Sequence, residues 1–130
     1  MFTDMSHNLE DYDEKYEEFE WSNIYDEADW DAPNEINVAH ETCDRHAQNG
    51  NNEAMVHVAE DGTTTRMSFD ELARRSSSFA NALEKNGVET GDRVFSYMPR
   101  IPEHYVALIG TLKSGAVFGG INERFGPDGI

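Results

Sequence analysis

The chain has 130 residues, with 26 acidic against 10 basic side chains and a formal net charge of −16. That length holds one domain or part of one, at the usual ~100–200 residues per domain, and excludes a complete multidomain enzyme. The charge excludes nucleic acid and anionic membranes as partners, because like-charge repulsion dominates such encounters. No apolar run reaches the ~18 residues of a transmembrane helix. The acid-rich start has the wrong sign for a secretory signal peptide, and the single cysteine, Cys43, cannot form an internal disulfide. The expected location is cytoplasmic.

The acidity is concentrated early: residues 1–60 carry 17 acids and two bases, residues 61–130 nine acids and eight bases. Such a run reads either as a disordered interaction arm or as a protein tuned to high salt, where screening over ~3 Å at 1 M removes the mutual repulsion of carboxylates. Tyr12, Tyr16, Phe19, Trp21, Tyr25 and Trp30 lie within the acidic region. Disordered acidic tails lack aromatics, so these favour the salt-adapted reading.

In chain order, Leu9, Tyr12, Tyr16 and Phe19 recur at helical steps, which predicts a short docking helix with acids on its solvated side. Residues 22–35 read as an extended connector anchored by Trp21 and Trp30 and punctuated by Pro33. Asn37 can cap a second helix to about His46, with Val38, Ala39 and Cys43 inward. Residues 48–52 end it as a loop. Alternation over Ala54–Val58, the turn Glu60-Asp61-Gly62 and the β-rich Thr63–Met67 predict a hairpin. Ser68-Phe69-Asp70-Glu71 fits a capping box with Met67 as staple; Leu72, Ala73, Ser76, Phe79, Ala80 and Leu83 keep helical spacing, and Gly87 stops the helix.

The remainder reads as a β-α-β unit. Arg93–Met98 is a strand, Pro102 fits the first turn of a helix filled by Tyr105, Val106, Leu108, Ile109 and Leu112, and Gly115 closes it. Ala116–Phe118 starts a second strand, which the intervening helix makes a parallel neighbour. Phe125–Asp128 looks like the start of a further helix. Two parallel strands are too few for a doubly covered core, so the sequence reads as the opening part of a larger α/β domain.

Five segments stand in a recognisable order: Ser68-Phe69-Asp70-Glu71-Leu72, Phe79-Ala80-Asn81-Ala82-Leu83, Gly87–Val94, Tyr97–Glu103 and Leu112–Phe118. Together they make the chain resemble the N-terminal part of AMP-forming acyl-CoA synthetases, the adenylate-forming superfamily, most closely acetyl-CoA synthetases of halophilic archaeal type. Asn37–His46 is similar to the family's early helix, and the acidic start with Trp21 and Trp30 to the extra arm of acetyl-CoA synthetases. The resemblance implies an α/β fold: an incomplete N-terminal part of the family's large domain, layered and with a mostly parallel sheet, preceded by an acidic helical arm. Residues 1–36 would be the arm with its docking helix, and residues 37–130 the truncated first part of the AMP-binding domain.

In that family a carboxylate attacks the α-phosphate of Mg-ATP, giving an acyl-adenylate and pyrophosphate, and the thiol of coenzyme A then displaces AMP. The full-length enzyme would use ATP, Mg2+ and CoA with acetate or another carboxylate. Its phosphate loop, its Thr-Glu pair for magnesium, its ribose-binding Asp and its mobile C-terminal domain have no counterpart in these 130 residues. No phosphate-loop pattern of either common kind occurs. No catalytic residue, no metal site and no bound cofactor is therefore assigned to this segment, which would be inactive without the remainder of the parent enzyme.

Several residues invite a site of their own. His40, Cys43 and His46, with Asp44, have metal-ligand chemistry, but a structural zinc wants four ligands, usually in two separated pairs, so they read as a packing helix. The glycines from Gly110 to Gly129 read as strand–helix junctions rather than a phosphate cradle. Arg100 and Arg124 follow strand ends, where ligands gather in open α/β sheets; either could approach an anionic substrate, and salt-bridging on an acidic surface is the blander reading. Lys113 suits the dipole at a helix C-terminus. The competing functional readings are a stand-alone acidic binding or regulatory module that borrows part of the fold and, more remotely, a nucleic-acid mimic built from the acidic arm. Charge density predicts that the chain gains structure on moving from low salt to molar KCl. Far-UV circular dichroism unchanged across that range would contradict the salt-adapted reading.

Overall fold

A computed structural model of the chain describes residues 12–28, 36–48 and 52–126. The chain forms two compact units, 1–36 and 37–130. In the first, helix α1 (Tyr12–Glu18) is followed by α2 (Trp21–Ala28). Tyr12 and Tyr16, one helical turn apart, stack with ring centroids 5.9 Å apart, and Phe19 meets Trp21 edge-to-face at 5.2 Å. All four rings are exposed. Of the expected stripe, Tyr12 and Tyr16 share one face of α1, whereas Phe19 lies just past the end of the helix and Leu9 lies outside the described residues. The expected connector is corrected: residues 22–28 are helical, because Ser22, Ile24 and Tyr25 continue a helix-competent run in which no glycine or proline intervenes. Trp30 and Pro33 lie outside the described residues.

The second unit opens on Asn37, whose Oδ1 accepts from the backbone amides of Ala39 at 3.0 Å and His40 at 3.3 Å. This cap starts a helical segment that widens into one π-helical turn, His40–Asp44, before α3 (Arg45–Gln48). Ala39 and Cys43 are buried as expected, whereas Val38, the first helical residue after the cap, is exposed. Strands β1 (Glu53–Val58) and β2 (Thr64–Ser68) pair antiparallel, Met55 opposite Met67. Their turn is held by the Thr63 amide donating to Asp61 Oδ1 at 2.8 Å, and Gly62 adopts φ +85°. That hydrogen bond holds the Asp61 carboxyl below the usual carboxylate range.

Helix α4 (Phe69–Lys85) begins on Ser68, whose Oγ accepts from the Glu71 amide at 3.2 Å. The reciprocal half of the capping box is replaced by an ion pair: Glu71 turns to Arg75, 3.6 Å away. Strand β3 (Arg93–Tyr97), helix α5 (Pro102–Lys113) and strand β4 (Val117–Ile121) complete the β-α-β unit, with β3 and β4 parallel and Arg93 level with Val117, Tyr97 with Ile121. Gly91 and Gly115, both at positive φ, bring the two strand entrances together through the Gly91 amide and the Gly115 carbonyl, 3.0 Å apart. Two expectations about glycines are corrected. Gly110 lies inside α5, and Gly119 and Gly120 lie inside β4, which extends three residues beyond Phe118.

The core joins Ala39, Cys43, Met67, Leu72, Val106 and Ile109. α4 and α5 lie so close that a Cβ on Gly110 would stand 2.6 Å from the Ser76 carbonyl oxygen and 2.9 Å from the Phe79 ring. Arg75 bridges the same two helices to Glu103 at 2.9 Å, and this hydrogen bond holds the Glu103 carboxyl below its usual range. A depressed carboxyl contributes above its unfolded pKa, so this bridge is lost only as pH falls through the lowered value. Gly110→Ala would gain about 1 kcal/mol of helix propensity and meet about 1–3 kcal/mol of overpacking against backbone that cannot rotate away. The clash wins, and a lower urea midpoint is expected. A raised midpoint would mean the helices can part freely.

Candidate functional site

The carboxyl ends of β3 and β4 open on a cleft of about 590 Å³. One wall is the chain leaving β3 and entering α5, with Met98, Arg100 and His104; the other is the end of β4 and the turn after it, with Gly120, Ile121, Asn122, Glu123 and Arg124. This is where open α/β sheets place their ligands, because the strand ends diverge around the crossover.

His104 is fixed from three sides. Its Nδ1 stands 3.2 Å from Ser96 Oγ, and its ring meets Phe118 edge-to-face at 5.6 Å and Tyr105 at 5.8 Å. Ser96 is buried on the inward face of β3, so its hydroxyl needs a partner there, and the imidazole supplies one. Asn122 Oδ1 accepts from the Arg124 amide at 3.0 Å and folds the turn that carries Arg124. Two guanidiniums and an imidazole, opposed by the one carboxylate of Glu123, favour an anion of phosphate or carboxylate type.

Arg100 and Arg124 are thus brought to one cleft. Among the described residues the ion pairs use Arg45, Arg66, Arg75 and Lys113, and none of them involves Arg100 or Arg124. Sequence reasoning missed His104, Ser96 and the Asn122–Glu123 turn. The available signal was Ser96, a polar residue at an inward strand position, together with a histidine two residues into the helix that follows.

The other candidates resolve differently. Cys43 is buried, which pushes its thiol above the usual range, although Lys113 opposes that shift. His46 packs its ring 5.0 Å from Phe69. Among the described residues no three His, Cys, Asp or Glu side chains converge as a metal cage. Lys113 does more than face a helix dipole. Its Nζ donates to Asp44 Oδ1 at 2.6 Å, Ser77 Oγ at 3.0 Å and the Ala73 carbonyl at 3.1 Å, joining α5 to α4 and to the π-helical turn. A long flexible stem lets one ammonium reach three acceptors that the dipole argument does not see. A second, largely apolar cleft of about 530 Å³ is lined by residues of β1, α4 and α5, His57 and Tyr105 among them, and by Arg100.

The model of the family described as "AMP-binding enzyme" matches residues 43–130. The chain belongs to the AMP-binding enzyme family. Acetyl-coenzyme A synthetase of Bacillus subtilis (strain 168) is 36% identical over 121 residues, 92% of this chain and 21% of that protein. The protein of the same name from Paraburkholderia phymatum is 40% identical over 101 residues, 73% of this chain and 15% of that protein. Among solved structures, the Brucella canis acyl-CoA synthetase superimposes with a TM-score of 0.81 at 28% identity, over 90% of this chain and 21% of that one. The acetoacetyl-CoA synthetase from Streptomyces lividans gives a TM-score of 0.64 at 34% identity, over 68% of this chain and 14% of that one. This chain therefore spans about a fifth or less of its relatives' length, and its α/β fold is that of the N-terminal part of adenylate-forming enzymes.

Lys113→Met is expected to cost about 2 kcal/mol, because it strands the partly buried Asp44 carboxylate and two further acceptors. Lys85→Met, at an exposed position, should stay within about 0.5 kcal/mol. Urea denaturation measures both, and equal midpoints would remove Lys113 from the set of structural anchors.

Proposed function

We propose that this chain is the N-terminal segment of an acetate–CoA ligase-like enzyme, which converts a carboxylate, ATP and CoA to acyl-CoA, AMP and pyrophosphate through an acyl-adenylate. The observation that carries the reading is the Bacillus subtilis match, whose 121 aligned residues span both compact units rather than the family core alone. In this reading residues 1–36 are an acidic arm, residues 37–130 are the first part of the AMP-binding domain, and the enzyme works in the cytoplasm. Its high negative charge is read as adaptation to salt, of the kind found in halophilic archaeal enzymes.

The segment's own contribution is binding and scaffolding. Arg100, Arg124 and His104 would hold an anionic part of a substrate at the strand ends, and α4 and α5 fix the wall that carries two of them. The single carboxylate of Glu123, set beside two guanidiniums, does not suit Mg2+, which takes its carboxylates together with waters and substrate phosphates. Adenylation and thiol transfer would fall to groups outside these 130 residues.

A chimera tests this reading: the chain replaces the matching region of the Bacillus subtilis enzyme, and acetate-dependent ATP–pyrophosphate exchange is measured. Exchange is expected in the chimera and only background in the 130-residue chain. A soluble, folded chimera without exchange, or exchange by the chain unaided, would overturn the proposal.

A further inference from the structure

Tyr97 closes β3 on the outward face of the strand, with half its surface exposed, yet its hydroxyl is not left to solvent. Oη lies 3.0 Å from the carbonyl oxygen of Glu123 and 3.0 Å from that of Phe125, so one phenolic proton is shared between two acceptors. Both acceptors belong to the turn after β4. That turn is otherwise held by two local bonds, from the Arg124 amide to Asn122 Oδ1 and from the Phe125 amide to the Asn122 carbonyl, each 3.0 Å. The residue between the two clamped carbonyls is Arg124.

The geometry has a consequence for the cleft. Among the described residues Arg124 is the cation that the β4 side contributes, while Arg100 and His104 come from the β3–α5 side. Within the cleft's own turn, the local bonds fold the segment without tying it to the opposite wall. The Tyr97 hydroxyl supplies that tie. Its neighbour on the same strand face, Phe95, lies against Gly119 and has no polar tip, so the hydroxyl rather than the ring is the distinguishing feature. Isolated exposed turns open at little cost, and one net hydrogen bond corresponds to about five- to ten-fold in an equilibrium constant.

We propose that Tyr97 is a positioning residue: by clamping the carbonyls that flank Arg124, it fixes the span between Arg124 and the Arg100–His104 wall and so sets the cleft for a phosphate-type polyanion. This rests on the anion-binding reading of the cleft given above.

Inorganic pyrophosphate is the probe, titrated into the 130-residue chain at constant ionic strength, with the Arg100 and Arg124 guanidinium signals followed by NMR. In the parent chain both signals should move together on saturation, and Arg124→Ala should abolish that response. Tyr97→Phe should keep the far-UV dichroism, weaken pyrophosphate about five-fold, and speed hydrogen exchange of the Arg124 and Phe125 amides by a similar factor. A parent chain that binds no more pyrophosphate than Arg124→Ala would overturn the anion reading and the positioning role with it. Binding by Tyr97→Phe equal to the parent, with Arg100 and Arg124 still responding, would overturn the clamp alone and leave the cleft as an anion site. Faster exchange without weaker binding would reduce Tyr97 to a structural tie, which also overturns the proposal.

Discussion

Helices α4 and α5 meet at a point where one of them has no side chain. Ser76 is fully buried, Gly110 faces its carbonyl, and any Cβ there would fall inside van der Waals contact with backbone. The close approach lets Ala80, Ala107 and Ser76 exclude water between the helices, where larger side chains would hold them a full ridge apart. Since α5 is also the crossover between β3 and β4, its position fixes where the two strand ends open and where His104 stands relative to Ser96. Gly110 lies less than two turns, at ~3.6 residues each, from His104 on the same helix, so the close approach that it permits bears directly on where the cleft's histidine is held.

Electrostatics supports the same arrangement. A chain with a net charge of −16 has few cations to place, and lysine is the scarcer of its two basic types, with only Lys15, Lys85 and Lys113. Lys113 is the one that is mostly buried, and it is surrounded by acceptors from two other segments. Arg75 performs a lighter version of the same task toward the other end of α5, joining Glu71 and Glu103 near the surface. Surface bridges of this kind contribute little individually, so the partly buried ammonium is the stronger constraint. The arginines of the cleft, by contrast, are kept out of ion pairs among the described residues, which leaves their charge available to something that enters.

Most of the second unit was legible in the sequence, because its signals are local. The Ser68 cap, the 3.6-residue spacing from Leu72 to Leu83, Pro102 at a helix start and glycines at positive φ each act within a few residues of where they occur. The misses share a different cause. The helix over residues 22–28 carries an apolar period, Trp21, Ile24, Tyr25 and Ala28, but it is only about two turns long, and Trp21, Trp30 and Pro33 read as anchors and punctuation of an extended connector instead. Gly110 was read as a junction because its reason is a partner helix thirty-four residues earlier in the chain. Lys113 satisfies acceptors that are 36 to 69 residues away, and the Ser96–His104 pair exists only once a helix has folded back on its own strand. The two cleft arginines could be placed at strand ends from the sequence, but their convergence depends on β3 and β4 lying in register.

Register also explains why a five-residue strand can organise both walls of the cleft. Side chains alternate along β3, so Ser96 points into the layer beneath and Tyr97 points out. Ser96 holds His104 from below, within the β3–α5 wall, while Tyr97 reaches over the sheet to the turn after β4, within the other wall. A strand slip of one residue would exchange these roles: the hydroxyl of Tyr97 would be buried with no space for its ring, and Ser96 would be too short to reach the turn. The parallel pairing of Tyr97 with Ile121 is thus a requirement of the cleft as well as of the sheet, because both polar tips find their partners only in that alignment.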